Sequence, residues 1–124
     1  MKLFTVSEAN EMIPIVRPRL ERLKKLYARL DDMREDARAA AAESESGGGM
    51  AGGAVYVETL YEIGKIVAEI TDEGIQLKDH ARGLIDFPSM REGRIVLLCW
   101  QLGEPEEIEW WHETEAGFAG RQRL

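Results

Sequence analysis

A chain of 124 residues with 44% apolar and 31% charged content is that of a globular protein, large enough to bury roughly two-thirds of the surface its unfolded form exposes. The net charge of −7 excludes a broad phosphate-binding face, and no apolar run reaches the about 20 residues that span a bilayer, so neither nucleic acid nor membrane is expected as a partner. One cysteine excludes an intramolecular disulfide and fits a reducing compartment; with no signal-peptide pattern after Met1, the expected location is cytoplasmic.

Thr5-Val-Ser-Glu8 fits a capping box and starts a helix. Pro14 and Pro18 each remove an amide donor, so a helical arm over 5–43 is predicted with a break after Met12, a restart at Pro14 and a bend at Pro18. Val16, Leu20, Leu23, Tyr27 and Leu30 recur at alternating spacings of three and four, widened by Leu26 and Met33, which is an amphipathic helix packed on a partner. Arg and Lys interleaved with Glu and Asp along the same arm make a solvated, salt-bridged face.

Residues 44–53 hold five glycines and read as a flexible connection. The phosphate-cradling pattern Gly-x-x-x-x-Gly-Lys-Ser/Thr is absent there. A second helix is predicted over 54–74, with Tyr56, Leu60, Ile63, Val67 and Ile70 on one stripe and Gly74 ending it. Two helices joined this way make an antiparallel hairpin.

The remainder reads as a sheet over 75–116 and a short tail over 117–124. Ile75 to Asp79 alternates weakly, and Leu84 to Pro88 is a strand. Ser89 to Gly93 is a five-residue connection. Arg94 to Leu102 is the central strand, Gly103 to Glu107 turns the chain, and Ile108 to Glu113 returns. The predicted fold class is α+β: a long antiparallel helical hairpin packed on a small three- to four-stranded antiparallel sheet.

Pairing Pro88 with Arg94 sets Asp86 opposite Val96. Pairing Leu102 with Ile108 sets Trp100 opposite Trp110 and Leu98 opposite His112. Alternation then places Asp86, Trp100, Trp110 and His112 on one face, and Cys99, Trp111, Glu113, Phe87 and Ile85 on the other. The metal-ligand types are His112, Glu113, Asp86, Glu104 and Cys99, with His80 outlying, and they suit zinc or iron. In this register Cys99 and Glu113 face away, and His112 lies two strand spacings, about 9–10 Å, from Asp86. The metal candidates are therefore His112, Glu104 and Asp86, near the sheet edge or completed by a second subunit. Cys99, among apolar neighbours, reads as a packing residue with a raised thiol pKa.

Phe4-Thr-x-x-Glu-Ala-Asn10, the paired prolines, Gly83-Leu-Ile-Asp-Phe-Pro88, Gly93-Arg94, Leu98-Cys-Trp100, Gly103-Glu104, Trp111-His-Glu113 and Gly117-Phe118 through Arg121 together resemble an uncharacterised bacterial family, domain of unknown function 2203. The resemblance runs end to end and implies a small α+β domain with a helical hairpin. It implies no activity.

No cofactor fingerprint or nucleophile motif is present, and no cofactor is expected. A sheet apolar on both faces needs two covers, the helices and a second copy of the chain, so a homodimer is expected, with an unidentified protein as a further possible partner. Its interaction residues would be Trp100, Trp110, Trp111 and Phe87. The functional reading is a non-catalytic, self-associating binding or structural module; the alternative is a small metal-dependent enzyme using zinc or iron at His112, Glu104 and Asp86.

Overall fold

The capping box forms at the head of the chain: the Glu8 amide donates to Thr5 Oγ1 at 3.0 Å and the Thr5 amide to Glu8 Oε1 at 2.9 Å. From it helix α1 runs Val6–Glu43. The computed structural model describes residues 1–43 and 53–124, so all of the predicted glycine-rich connection except Gly53 lies outside the described residues.

The break predicted near Met12 does not occur, and α1 continues through both prolines. Pro14 and Pro18 sit four apart on the exposed face. The two donors are thus lost on the side of the helix away from the core, where water can take the freed carbonyls. The opposite stripe, Ile13, Val16, Leu20, Leu23, Leu26 and Leu30, is buried.

Helix α2, Gly53–Asp72, buries Thr59, Ile63, Ile66 and Ile70. Arg19 bonds Glu73 while Arg22 pairs with Glu62. Rising numbers on α1 thus meet falling numbers on α2, and the hairpin is antiparallel as predicted. Among the described residues no helix is long and apolar enough to cross a membrane.

Five strands follow, paired in sequence order as an antiparallel meander: β1 Gln76–Asp79, β2 Leu84–Arg91, β3 Arg94–Gln101, β4 Trp110–Glu113 and β5 Gln122–Arg123. The sheet exceeds the predicted three or four strands because the tail adds β5, which pairs Trp110 with Arg123 and Trp111 with Gln122. β2 also outruns its prediction. Pro88 stays in the ladder opposite Leu97, at a point where β1 has already ended, so its missing amide costs no pairing on that side. Its carbonyl accepts from the Phe4 amide at 2.7 Å.

With β2 extended, Glu92 and Gly93 alone make the turn, with φ of 49° and 80°, the positive values that a two-residue hairpin needs. This replaces the predicted five-residue connection and moves the register. Asp86 stands opposite Cys99, not Val96. Leu97, not Leu98, stands opposite His112. Both shifts are odd, three residues and one, so each reverses the faces of β3 relative to its neighbours. β2 and β4 keep their predicted relation to one another, while Cys99 and Trp100 exchange faces.

The consequence is two differently built sides. Ile85, Phe87, Val96, Leu98, Trp100 and Trp111 form one core with the buried stripes of both helices, and the Phe4 and Phe87 rings meet edge to face at 5.2 Å. Phe87, Trp100 and Trp111 are 0%, 1% and 6% exposed; they hold the sheet against the helices and are not the interaction surface expected of them. Trp100 and Trp110 are not cross-strand neighbours. Trp100 Nε1 donates to the Pro105 carbonyl at 2.8 Å, whereas Trp110 lies on the other side beneath the guanidinium groups of Arg121 and Arg123. That second side carries Leu84, Asp86, Leu97, Cys99 and His112. Thr114, Gly117 and Phe118, which follow β4, share a pocket with four of these residues, so part of the cover expected from a second copy comes from the chain itself.

Candidate metal centre

Three adjacent strands each supply one donor to this second side. Asp86 comes from the middle of β2, Cys99 faces it directly from β3, and His112 reaches over β3 from β4. Their side chains are sealed from solvent, at 2%, 1% and 2% exposure. One imidazole nitrogen, the thiol sulfur and a carboxylate oxygen all lie within 4.8 Å of one another. Tetrahedral zinc with bonds of 2.0–2.3 Å holds its ligand atoms about 3.3–3.7 Å apart. The trio is therefore near that spacing and needs about 1 Å of closure at its widest.

The histidine is oriented by its other nitrogen. His112 Nδ1 lies 2.7 Å from the Glu113 carbonyl oxygen, which has no proton to give, so Nδ1 carries the proton and donates. This turns Nε2 toward Asp86, at 3.1 Å from both carboxylate oxygens. A bare lone pair facing a carboxylate is repulsive, so Nε2 and Asp86 must share either a proton or a cation. A backbone carbonyl on the remote nitrogen is the outer contact that fixes metal-binding imidazoles.

The thiol of Cys99 is pushed up to about 12, first by burial and then by the neighbouring Asp86 carboxylate, with Arg121 opposing. Without a cation it is a protonated, inert group. A divalent ion held by Asp86 and Cys99 would offset the unfavourable pairing of thiolate with carboxylate, and its binding would displace the thiol proton.

Beside the trio is a pocket of about 150 Å³, lined by Asp86 and His112 with Leu84, Leu97, Phe118, Gly117, Thr114 and Lys78. A metal held by three side chains at its edge keeps a coordination position for water or substrate. Phe118 is held in place by Arg82 and Arg121, whose guanidinium carbons lie 4.1 and 4.6 Å from its ring centre.

Of the residues singled out from sequence, His112 and Asp86 are brought together. Glu104 is not with them: it accepts the Gln101 amide at 2.8 Å and pairs with Arg121, so it secures the turn after β3 and the tail. Glu113 binds Arg94 on the other side, and its carboxyl is lowered by that contact. His80 stacks on Tyr27 with ring centres 3.6 Å apart and is outside the trio. Cys99 is the donor that the sequence reading turned away. A two-residue Glu-Gly turn, had it been preferred at 92–93, would have placed it opposite Asp86.

These features define a class: an α+β protein whose helical hairpin covers one side of a five-stranded meander while nitrogen, oxygen and sulfur donors converge on the other. The chain belongs to the family of uncharacterised conserved proteins termed DUF2203, which it matches over residues 2–124. No curated protein and no solved structure matches it.

Proposed function

We propose that the protein is a zinc-dependent enzyme whose metal is held by Asp86 Oδ, Cys99 Sγ and His112 Nε2, with water in the remaining position. The observation that carries this reading is the 2.7 Å contact of His112 Nδ1 with the Glu113 carbonyl, which commits Nε2 to the Asp86–Cys99 pair. Thiolate together with imidazole and carboxylate favours zinc over iron, whose open sites use two imidazoles and a carboxylate. A zinc-bound water ionises near neutral pH and serves as a nucleophile, so the reaction class is hydrolysis or hydration of a small molecule that enters the adjoining pocket. Atomic analysis of the full chain, dialysed against zinc and then against metal-free buffer, tests the site. One zinc per chain is expected, lost in His112→Ala and in Asp86→Ala; wild-type protein that retains no more than these variants removes the reading.

Self-association fits a different surface from the one the sequence suggested. On α2 the outward residues Val57, Leu60 and Tyr61 are 63%, 42% and 75% exposed. With exposed Gly64 and Ala68 they lie at helical spacing on one uncharged stripe. A second copy of α2 is the occupant this supports, and the mass in solution tests it: a dimer is expected, reduced to monomer by Tyr61→Lys. A wild-type monomer across the micromolar range rejects it.

A further inference from the structure

We infer that the pocket beside Asp86 and His112 takes a small monoanion, a carboxylate on a short aliphatic chain; this rests on the metal reading above. The argument is one of charge and size. Divalent metal, one carboxylate and one thiolate sum to zero, and the imidazole and an un-ionised metal-bound water are neutral, so below the pKa of that water the metal-loaded floor of the pocket carries no net charge. The formal charge left in the lining is then Lys78. Among the described residues its ammonium, like that of the other lysines, has no carboxylate within ion-pair reach.

Lys78 lies in β1, the strand beside β2, at the irregularity between Leu77 and Asp79, and lines the pocket together with Asp86. Leu84, Leu97 and Phe118 provide apolar wall, and Thr114 adds a hydroxyl. A volume of about 150 Å³ is that of a cavity able to hold benzene, or about six non-hydrogen atoms. Butyrate has that size, with a hydrocarbon part for the wall and a negative charge for Lys78.

Calorimetric titration of the zinc-loaded full chain with butyrate, in buffer low in chloride, tests this. Butyrate is expected to bind one to one, at least tenfold more tightly than its neutral isostere butyramide. Lys78→Met should abolish that preference and Lys78→Arg should keep it. Equal binding of butyrate and butyramide, no butyrate binding to zinc-loaded protein, or a preference unchanged in Lys78→Met overturns the inference while leaving the metal site standing. Failure to load zinc is seen beforehand by metal analysis and overturns the reading beneath it instead.

Discussion

Asp86 and Cys99 face each other directly across the β2–β3 ladder, and their closeness is electrostatically unfavourable if both ionise. The thiol is accordingly held up to about 12 from an ordinary 9.0 by burial and by the carboxylate. At pH 8 the folded thiol is then almost wholly protonated, whereas roughly a tenth of a thiol titrating at 9.0 is ionised. Metal-free protein should react with iodoacetamide orders of magnitude more slowly than the unfolded chain. Asp86→Asn, which removes the carboxylate charge but not the burial, should speed alkylation severalfold in protein that remains folded. Equal rates in native and unfolded wild type would contradict this account of the thiol.

The same shift has a consequence for stability. Between 9.0 and about 12 the unfolded chain has lost the thiol proton and the folded chain retains it. The folded state then binds more protons, and stability falls as pH rises through that window. Below pH 9 the contribution is fully present. Cys99→Ala should flatten the alkaline slope of metal-free protein in denaturant titrations, whereas an unaltered slope would show that other groups set it.

Gly83 combines two constraints. Its φ is +61°, and a Cβ built there would stand 2.5 Å from Leu102 Cδ1 and Cγ. The Gly83 carbonyl also accepts the Leu102 amide at 3.2 Å. Gly83→Ala should cost on the order of 2–4 kcal/mol, from about 1 kcal/mol of backbone strain and 1–3 kcal/mol of overpacking. Gly93, with φ of +80° and open space around its Cβ position, should show only the smaller backbone part. Similar losses at the two positions would show that the Leu102 contact is not the cause.

Asn10 on α1 reaches the segment before β4, where its Oδ1 accepts the Ile108 amide at 2.7 Å. Ile108 is buried, so Asn10→Ala leaves an amide without an acceptor and should destabilise by about 1–3 kcal/mol in urea unfolding. Because this bond fixes the approach of β4, and so of His112, the variant should also hold zinc less tightly. A loss below about 0.5 kcal/mol would mean that water replaces the side chain.

The helices were legible because their signals are local. The Thr5–Glu8 capping box lies within one helical turn and the Leu20–Leu23–Tyr27–Leu30 spacing within about three, and both formed as read. Pro14 misled because its penalty depends on whether the freed carbonyl meets water, a tertiary fact. In the sheet, alternation identified which residues share a strand face, but two turn lengths governed which faces met. Reading Ser89–Gly93 as a loop in place of a Glu92–Gly93 turn moved Cys99 away from Asp86, and pairing Leu102 with Ile108 moved it away from His112. Strand spacing also overstated the distance from His112 to Asp86, because it measures backbone to backbone and both side chains lean over β3. β5 gave no pattern at all in two residues, Gln122 and Arg123.

The metal centre is tested most directly by titrating metal-free protein with cobalt(II) and following its absorption. The account predicts that one equivalent produces a thiolate-to-cobalt charge-transfer band and the intense visible bands of a four-coordinate ion. Cys99→Ala should lose the charge-transfer band, and His112→Ala should lose both signals. A spectrum that stays that of hydrated cobalt, or a charge-transfer band that persists without Cys99, would contradict the assignment of Asp86, Cys99 and His112 as a metal site.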